Sequence, residues 1–123
     1  MHVLDTSAFI EVIKETSKGK KICKQLDNTP ATITTFTIQE ILSGTEGAQK
    51  QAVIRLLDGI EILDYDKNSA IKSAEIERYL TKKGKNTNKI DTLLAGICIT
   101  KQKTIVTLDK HFEKIPGLKS IIL

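Results

Sequence analysis

Four carboxylates, Asp5, Glu40, Asp91 and Asp109, are spread along nearly the whole of a basic chain, yet each falls where the sequence ends a strand or begins a helix. Side chains so distant in sequence converge only if the strands run parallel, because an open α/β sheet gathers its ligands outside the carboxyl ends of its strands. Like charges about 4 Å apart repel by roughly 4 kcal/mol at an effective dielectric near 20, so a converged cluster raises carboxyl pKa values unless a cation intervenes. With no His or Cys in the set, the donors are all oxygen and select a hard ion, Mg²⁺ or Mn²⁺. Such an ion keeps several waters and also binds phosphates. The chemistry implied is phosphoryl chemistry.

Each acid also has an ordinary use. Asp5 could serve the turn after the first strand or cap the next helix, although Thr6 and Ser7 can cap equally well. Glu40 closes Thr37-Ile38-Gln39-Glu40, an S/T-x-x-E capping box. If Thr34 or Thr35 is the cap instead, Glu40 lies past the first turn and its carboxylate is free. Asp91 near a helix start favours the helix dipole by about 0.3–1 kcal/mol. At i, i+3 and i+7, however, Asp91, Leu94 and Cys98 share one flank, which leaves that carboxylate bordering an apolar stripe and partly desolvated. Asp109 could simply end Thr107-Leu108-Asp109 in a polar turn.

The elements that must position these acids alternate. His2-Val3-Leu4 is a short strand, and Ser7 is placed to cap a helix carrying Phe9, Ile10 and Ile13. An amphipathic stretch from Lys18 to Leu26 precedes the turn Asp27-Asn28-Thr29-Pro30, and residues 31–34 have β-type composition. Helices follow from Thr35 to Ser43, stopped by Gly44, and from Ala48 to Leu57, stopped by Gly59. Residues 60–63 are a third strand, and Asn68 or Ser69 begins a long helix that ends before Gly84. Asn88 is placed to cap a helix with the buried stripe Ile90, Leu93, Leu94, Ile97 and Cys98. Residues 104–108 form a β-rich run, residues 109–113 a turn of helix, and residues 120–123 a last strand. Strands separated by helices imply right-handed crossovers. The fold class is therefore α/β, a central parallel β-sheet flanked by helices on both faces.

At 123 residues with 40% hydrophobic and 28% charged content, the charge spread along the chain, a single domain over residues 1–123 is expected. Cys23 and Cys98 form no C-x-x-C pair and are read as core residues, which fits a reducing cytoplasm. No signal peptide opens the chain, and its longest apolar run is far short of a membrane span, so no membrane partner is expected. Lys and Arg exceed Asp and Glu by 19 to 15, a net charge of +4 that hints at an anionic partner.

Several segments together resemble the PIN-domain ribonucleases, especially small toxins of the VapC type. They are Val3-Leu4-Asp5-Thr6-Ser7, then Thr37 to Gly44 around Glu40, then Gly84 followed by Asp91-Thr92-Leu93-Leu94-Ala95, and Thr107-Leu108-Asp109-Lys110-His111-Phe112. The resemblance spans nearly the whole chain and implies a PIN-like fold. It also implies that Asp5, Glu40, Asp91 and Asp109 form the acidic metal-binding site, with Asp5 and Asp91 the most secure ligands and Ser7 and Thr107 as supporting polar residues. Two departures stand out: Gly96 where such proteins often carry Ala, and His111 where an acidic or polar residue is frequent. His111 is read as a surface residue beside a partly buried Phe112, outside the site.

The mechanism expected is hydrolysis of RNA phosphodiesters with one or two Mg²⁺ ions activating water. From the resemblance, the products carry 5′-phosphate and 3′-hydroxyl ends. Lys82, Lys83, Lys85 and Lys89, with Asn86 and Asn88 among them, make a basic segment leading into the Asp91 helix. Lys85 and Lys89 are candidate phosphate contacts, and a solvated loop is the other reading. Aromatics are only 4% of the chain, which removes the usual stacking platform for single-stranded bases. Partners implied by the resemblance are an RNA substrate, a small cognate antitoxin covering the acidic groove, and a second copy in a homodimer. A housekeeping PIN nuclease in RNA processing stays open and would lack a short reading frame upstream. A Mg²⁺-binding signalling receiver domain fits less well, because Asp5 stands without an adjacent acid and no lysine follows the last strand.

Overall fold

The computed structural model describes residues 1–85 and 88–123; Asn86, placed above in the basic segment, lies outside the described residues. Five short strands, β1 (His2–Leu4), β2 (Thr32–Thr34), β3 (Glu61–Leu63), β4 (Thr104–Thr107) and β5 (Ser120–Ile122), form one sheet in the order β3-β2-β1-β4-β5. Every pairing is parallel, with Val3 opposite both Thr32 and Ile105. The α/β expectation holds. The order differs from the 2-1-3-4-5 arrangement of receiver-type folds, so the topology itself sets that reading aside.

Alternation along the central strands divides the core between the two faces. Val3 and Ile105 point to one side, with α5 (Lys67–Lys82) and α6 (Lys89–Thr100) supplying Ile76, Leu80, Leu94, Ala95 and Cys98. Leu4 and Val106 point to the other, where α1 (Thr6–Ile13), α2 (Ser17–Leu26) and α3 (Thr35–Ser43) supply Ala8, Phe9, Ile22, Leu26 and Ile41. The helix α4 (Gly47–Leu57) buries no residue fully and leans on this second cluster through Val53 and Leu57. Period-2 alternation in strands of three or four residues is what lets one sheet serve two layers.

Local chemistry moves several boundaries. Asp5, not Ser7, caps α1, its Oδ1 accepting from the Ala8 amide at 2.9 Å; Ser7 lies inside the helix. The long helix α5 is capped by Asp66, two or three residues before the expected start, through the Ser69 amide at 2.8 Å. Asn88 does cap α6. Cys98 is buried as expected, but Cys23 is exposed. The stripe of α2 runs through Gly19, Ile22 and Leu26, and Cys23 is turned one residue, about 100°, away from Ile22 on the helix.

The α1–α2 hairpin closes tightly at Gly19, where an added Cβ would stand 2.2 Å from the Glu11 carbonyl oxygen. Gly→Ala inside a helix ordinarily gains up to about 1 kcal/mol. Here overpacking against backbone, costing about 1–3 kcal/mol, reverses the sign. Gly19→Ala is expected to melt several degrees below the native protein by circular dichroism, and an unchanged or higher Tm would contradict the close approach.

Candidate active site

The order of the sheet reverses between β1 and β4, which makes a crevice at their carboxyl ends. Asp5 follows β1 directly and Asp109 lies two residues past β4, so both stand at this crevice. Asp5 is 6% exposed and its carboxylate is held on three sides. Its Oδ1 accepts from Ser7 Oγ at 2.7 Å and from the Ala8 amide, and its Oδ2 accepts from Thr107 Oγ1 at 2.5 Å. The Asp5 amide donates to the Val106 carbonyl at 3.2 Å, and the Leu108 amide donates to Ser7 Oγ at 3.2 Å. Ser7 and Thr107 therefore stitch the ends of β1 and β4 together through Asp5.

Glu40 is exposed on α3. Thr34 caps that helix through the Thr37 amide at 3.4 Å, so the capping box read from Thr37 does not form and Glu40 lies past the first turn. Its Oε1 accepts instead from Thr6 Oγ1 at 2.6 Å, joining α3 to the start of α1. Thr6 was not among the residues singled out from sequence. The only signal for it was the surplus of polar side chains at Asp5-Thr6-Ser7, where a single cap suffices. Asp109 caps a short 3₁₀ helix, Lys110–Lys114, through the His111 amide at 2.9 Å.

His111 is at the surface, as expected, and contacts one of the four acids. Although exposed, its Nδ1 lies 2.8 Å from Asp109 Oδ1, while Phe112 beside it is fully buried. Lys89 opens α6 two residues before Asp91, but its ammonium is 3.9 Å from Glu77 on α5. Lys85 lies exposed just beyond α5. Neither lysine has a described contact with the four acids.

Electrostatics tie the acids into one group. Burial pushes the Asp91 carboxyl up to about 6; the charges of Asp109, Asp5 and Glu40 add to this, and His111 opposes it. Asp5 is also raised, because desolvation outweighs the bonds from Thr107, Ala8 and Ser7, and Asp109 pushes the same way. Buried Cys98 is pushed up to about 12 by desolvation and then by the charge of Asp5, so it stays a neutral thiol behind the site.

As they stand, no three His, Cys, Asp or Glu side chains among the described residues are grouped closely enough to enclose an ion. The donors nonetheless fit a hard dication bound through one or two carboxylates with water completing the shell, as Mg²⁺ prefers. They are all oxygen, and the mutual repulsion that raises Asp91 is what a cation would relieve.

Residues 2–118 match the PIN domain family. The chain is 28% identical over 123 residues to the tRNA(fMet)-specific endonuclease VapC of Salmonella typhimurium, covering 95% of this chain and 93% of that one. It is 27% identical over 124 residues to the enzyme of the same name from Shigella flexneri, covering 96% and 94%. Among solved structures it is similar to DNA-bound VapBC from Salmonella typhimurium, with TM-score 0.82, 26% identity and coverage of 98% and 96%. VapBC2 from Rickettsia felis, bound to a promoter DNA fragment, shares the fold at TM-score 0.83 and 22% identity over 99% and 98%.

Proposed function

The chain belongs to the PIN-domain family, and on that footing we propose that it is a metal-dependent endoribonuclease, the toxin of a toxin–antitoxin pair. The observation that supports this reading is that Asp5 and Asp109 follow the neighbouring strands β1 and β4, and that Asp91 is pushed up to about 6 by burial and by the charges of Asp109, Asp5 and Glu40. Residues 1–123 are read as one nuclease domain. Asp5 and Asp91 would hold Mg²⁺ or Mn²⁺, with Glu40 and Asp109 assisting. A bound dication supplies charge neutralisation and lowers the pKa of water.

The chain's own residues prepare the rest. Ser7, Ala8 and Thr107 occupy three of the four or so acceptor positions of the Asp5 carboxylate. That fixes the plane of the carboxylate. The 3₁₀ helix turns Asp109 to the same rim, where His111 Nδ1 stands 2.8 Å from its Oδ1. Lys85 and Lys89, near the start of α6, would meet RNA phosphates as they approach.

The antitoxin would cover this acidic groove and a second copy would complete a dimer, in keeping with the VapBC complexes that share the fold. No helix among the described residues is long and apolar enough to cross a membrane. The cytoplasm is the proposed compartment, where an RNA target and two free thiols both belong.

The substrate in the relatives' names, tRNA(fMet), is the first to try. Full-length protein is expected to cut it with Mg²⁺ or Mn²⁺ and to stop when EDTA is added. Attack by water on phosphorus with cleavage of the P–O3′ bond leaves 5′-phosphate and 3′-hydroxyl ends, the departing O3′ taking up a proton; 2′,3′-cyclic phosphate products would show attack by the ribose instead and overturn the mechanism.

A further inference from the structure

We propose that Thr6 is a positioning residue: a hydroxyl relay from buried Thr37 through Thr6 fixes the Glu40 carboxylate at the acidic rim. The proposal rests on the reading of the four acids as an ion-holding site and adds to it residues outside the acidic set. Thr6 Oγ1 lies 2.6 Å from Glu40 Oε1 and 3.3 Å from Thr37 Oγ1. A hydroxyl carries one proton. The shorter contact, to a charged acceptor, claims it. Thr37 Oγ1 must then give its own proton to Thr6 Oγ1, and the chain runs Thr37 to Thr6 to Glu40.

Three features make this relay more than a chance contact. Thr37 is fully buried, so its hydroxyl needs a partner inside the protein. Thr34 already caps α3, which leaves the Thr37 side chain free for that use. Thr37 and Glu40 stand at i and i+3, one above the other on α3, so the first residue of α1 meets both at once. Glu40 is exposed and would otherwise sample its rotamers freely. Asp5, Thr6 and Ser7 thereby act as one unit, in which Ser7 holds the acid of β1 and Thr6 holds the acid of α3.

The test compares Thr6→Val, Thr6→Ser and the double variant Thr6→Val/Thr37→Val, each alone and combined with Glu40→Gln. Mn²⁺ affinity is read by calorimetry and RNA cleavage by kcat and KM. Loss of a group that orients a ligand costs about 10- to 100-fold in metal affinity. Thr6→Val and the double variant should each weaken Mn²⁺ binding about 10-fold or more. Thr6→Ser, which keeps the hydroxyl, should stay within about twofold by the same reasoning. Thr6→Val should add nothing once Glu40 is Gln. The double variant leaves no buried hydroxyl stranded, so it separates positioning from a simple loss of stability.

Native Mn²⁺ affinity in folded Thr6→Val, or additive losses with Glu40→Gln, would overturn the relay. Asp91→Asn serves as the reference. If it weakens Mn²⁺ binding while Thr6→Val does not, only the relay falls; if neither weakens it, the ion-holding reading of the cluster falls as well.

Discussion

Asp91→Asn is expected to abolish cleavage while making the metal-free protein more stable. Activity should fall at least about 100-fold, since even partners outside a ligand shell are worth about 10- to 100-fold. Stability should move the other way because of where the carboxyl sits. Its pKa rises from 3.8 to about 6 on folding, so the fold resists ionisation of this group. Below about pH 4 the carboxyl is protonated in both states and the resistance costs nothing. As pH rises from about 4 to about 6 the penalty accumulates, and above that it is complete. Because the group is only half-buried, solvent screening reduces the cost to about 1–2 kcal/mol. The lost dipole interaction takes back about 0.3–1 kcal/mol. The net gain, near 1 kcal/mol, is a Tm higher by about 2–4 °C at pH 7.5, fading at pH 4. Calorimetry at both pH values checks this, and an inactive variant that melts lower at pH 7.5 would contradict the placement of Asp91. Added Mg²⁺ should raise the Tm of the native protein and leave that of the variant nearly unchanged.

Gly96→Val is expected to lose both stability and activity. A Cβ at Gly96 would stand 2.0 Å from Ser73 Oγ and 2.6 Å from the Ser69 carbonyl oxygen, where α6 crosses α5. Ser73 Oγ meanwhile donates to the Thr92 carbonyl at 3.1 Å, one residue after Asp91. A side chain at Gly96 is therefore expected to push the helices apart and break that tie, carrying Asp91 away from Asp5. Overpacking costs about 1–3 kcal/mol, and the buried hydroxyl left without its acceptor adds about 1 kcal/mol or more. Chemical denaturation should show a loss of about 2–4 kcal/mol, the sum of those two effects. Ser73→Ala should rescue Gly96→Ala only in part, because the Ser69 carbonyl is backbone and cannot be trimmed. Full rescue would mean that the hydroxyl alone sets the helix spacing.

The same crossing explains what sequence could and could not convey. A Gly where similar proteins often carry Ala looked like a small departure, yet Ser73 fills the space that an alanine methyl would need. Nothing in either residue's neighbours in sequence records the other. The sheet and most helices were legible because periodicity is local: alternation in Val3-Leu4 and Ile105-Val106 and the stripe of α6 each lie within one element. Caps were less so. At Asp5-Thr6-Ser7 three side chains compete for one role; local bonds give Asp5 to the helix and Ser7 to Asp5, while a tertiary contact takes Thr6 to Glu40. Thr34 and Thr37 posed the same ambiguity, settled by the hydroxyl that reaches the Thr37 amide. The contact of His111 with Asp109 was not legible because the 3₁₀ helix, which folds its ring back onto Asp109, has no distinctive sequence pattern.

The order of strands has a consequence for the protein's manufacture. Asp5 leaves the ribosome well before its partner Thr107, which follows it by 102 residues, and β4 must dock beside β1 before that bond can form. Asp91 and Asp109 are also made late. Chains are synthesised from the amino end and parallel pairings between distant segments form slowly. A nascent chain therefore carries two acids of the cluster, Asp5 and Glu40, long before Asp91 and Asp109 can join them. The cluster is thus complete only after Asp109 has emerged and β4 has docked beside β1.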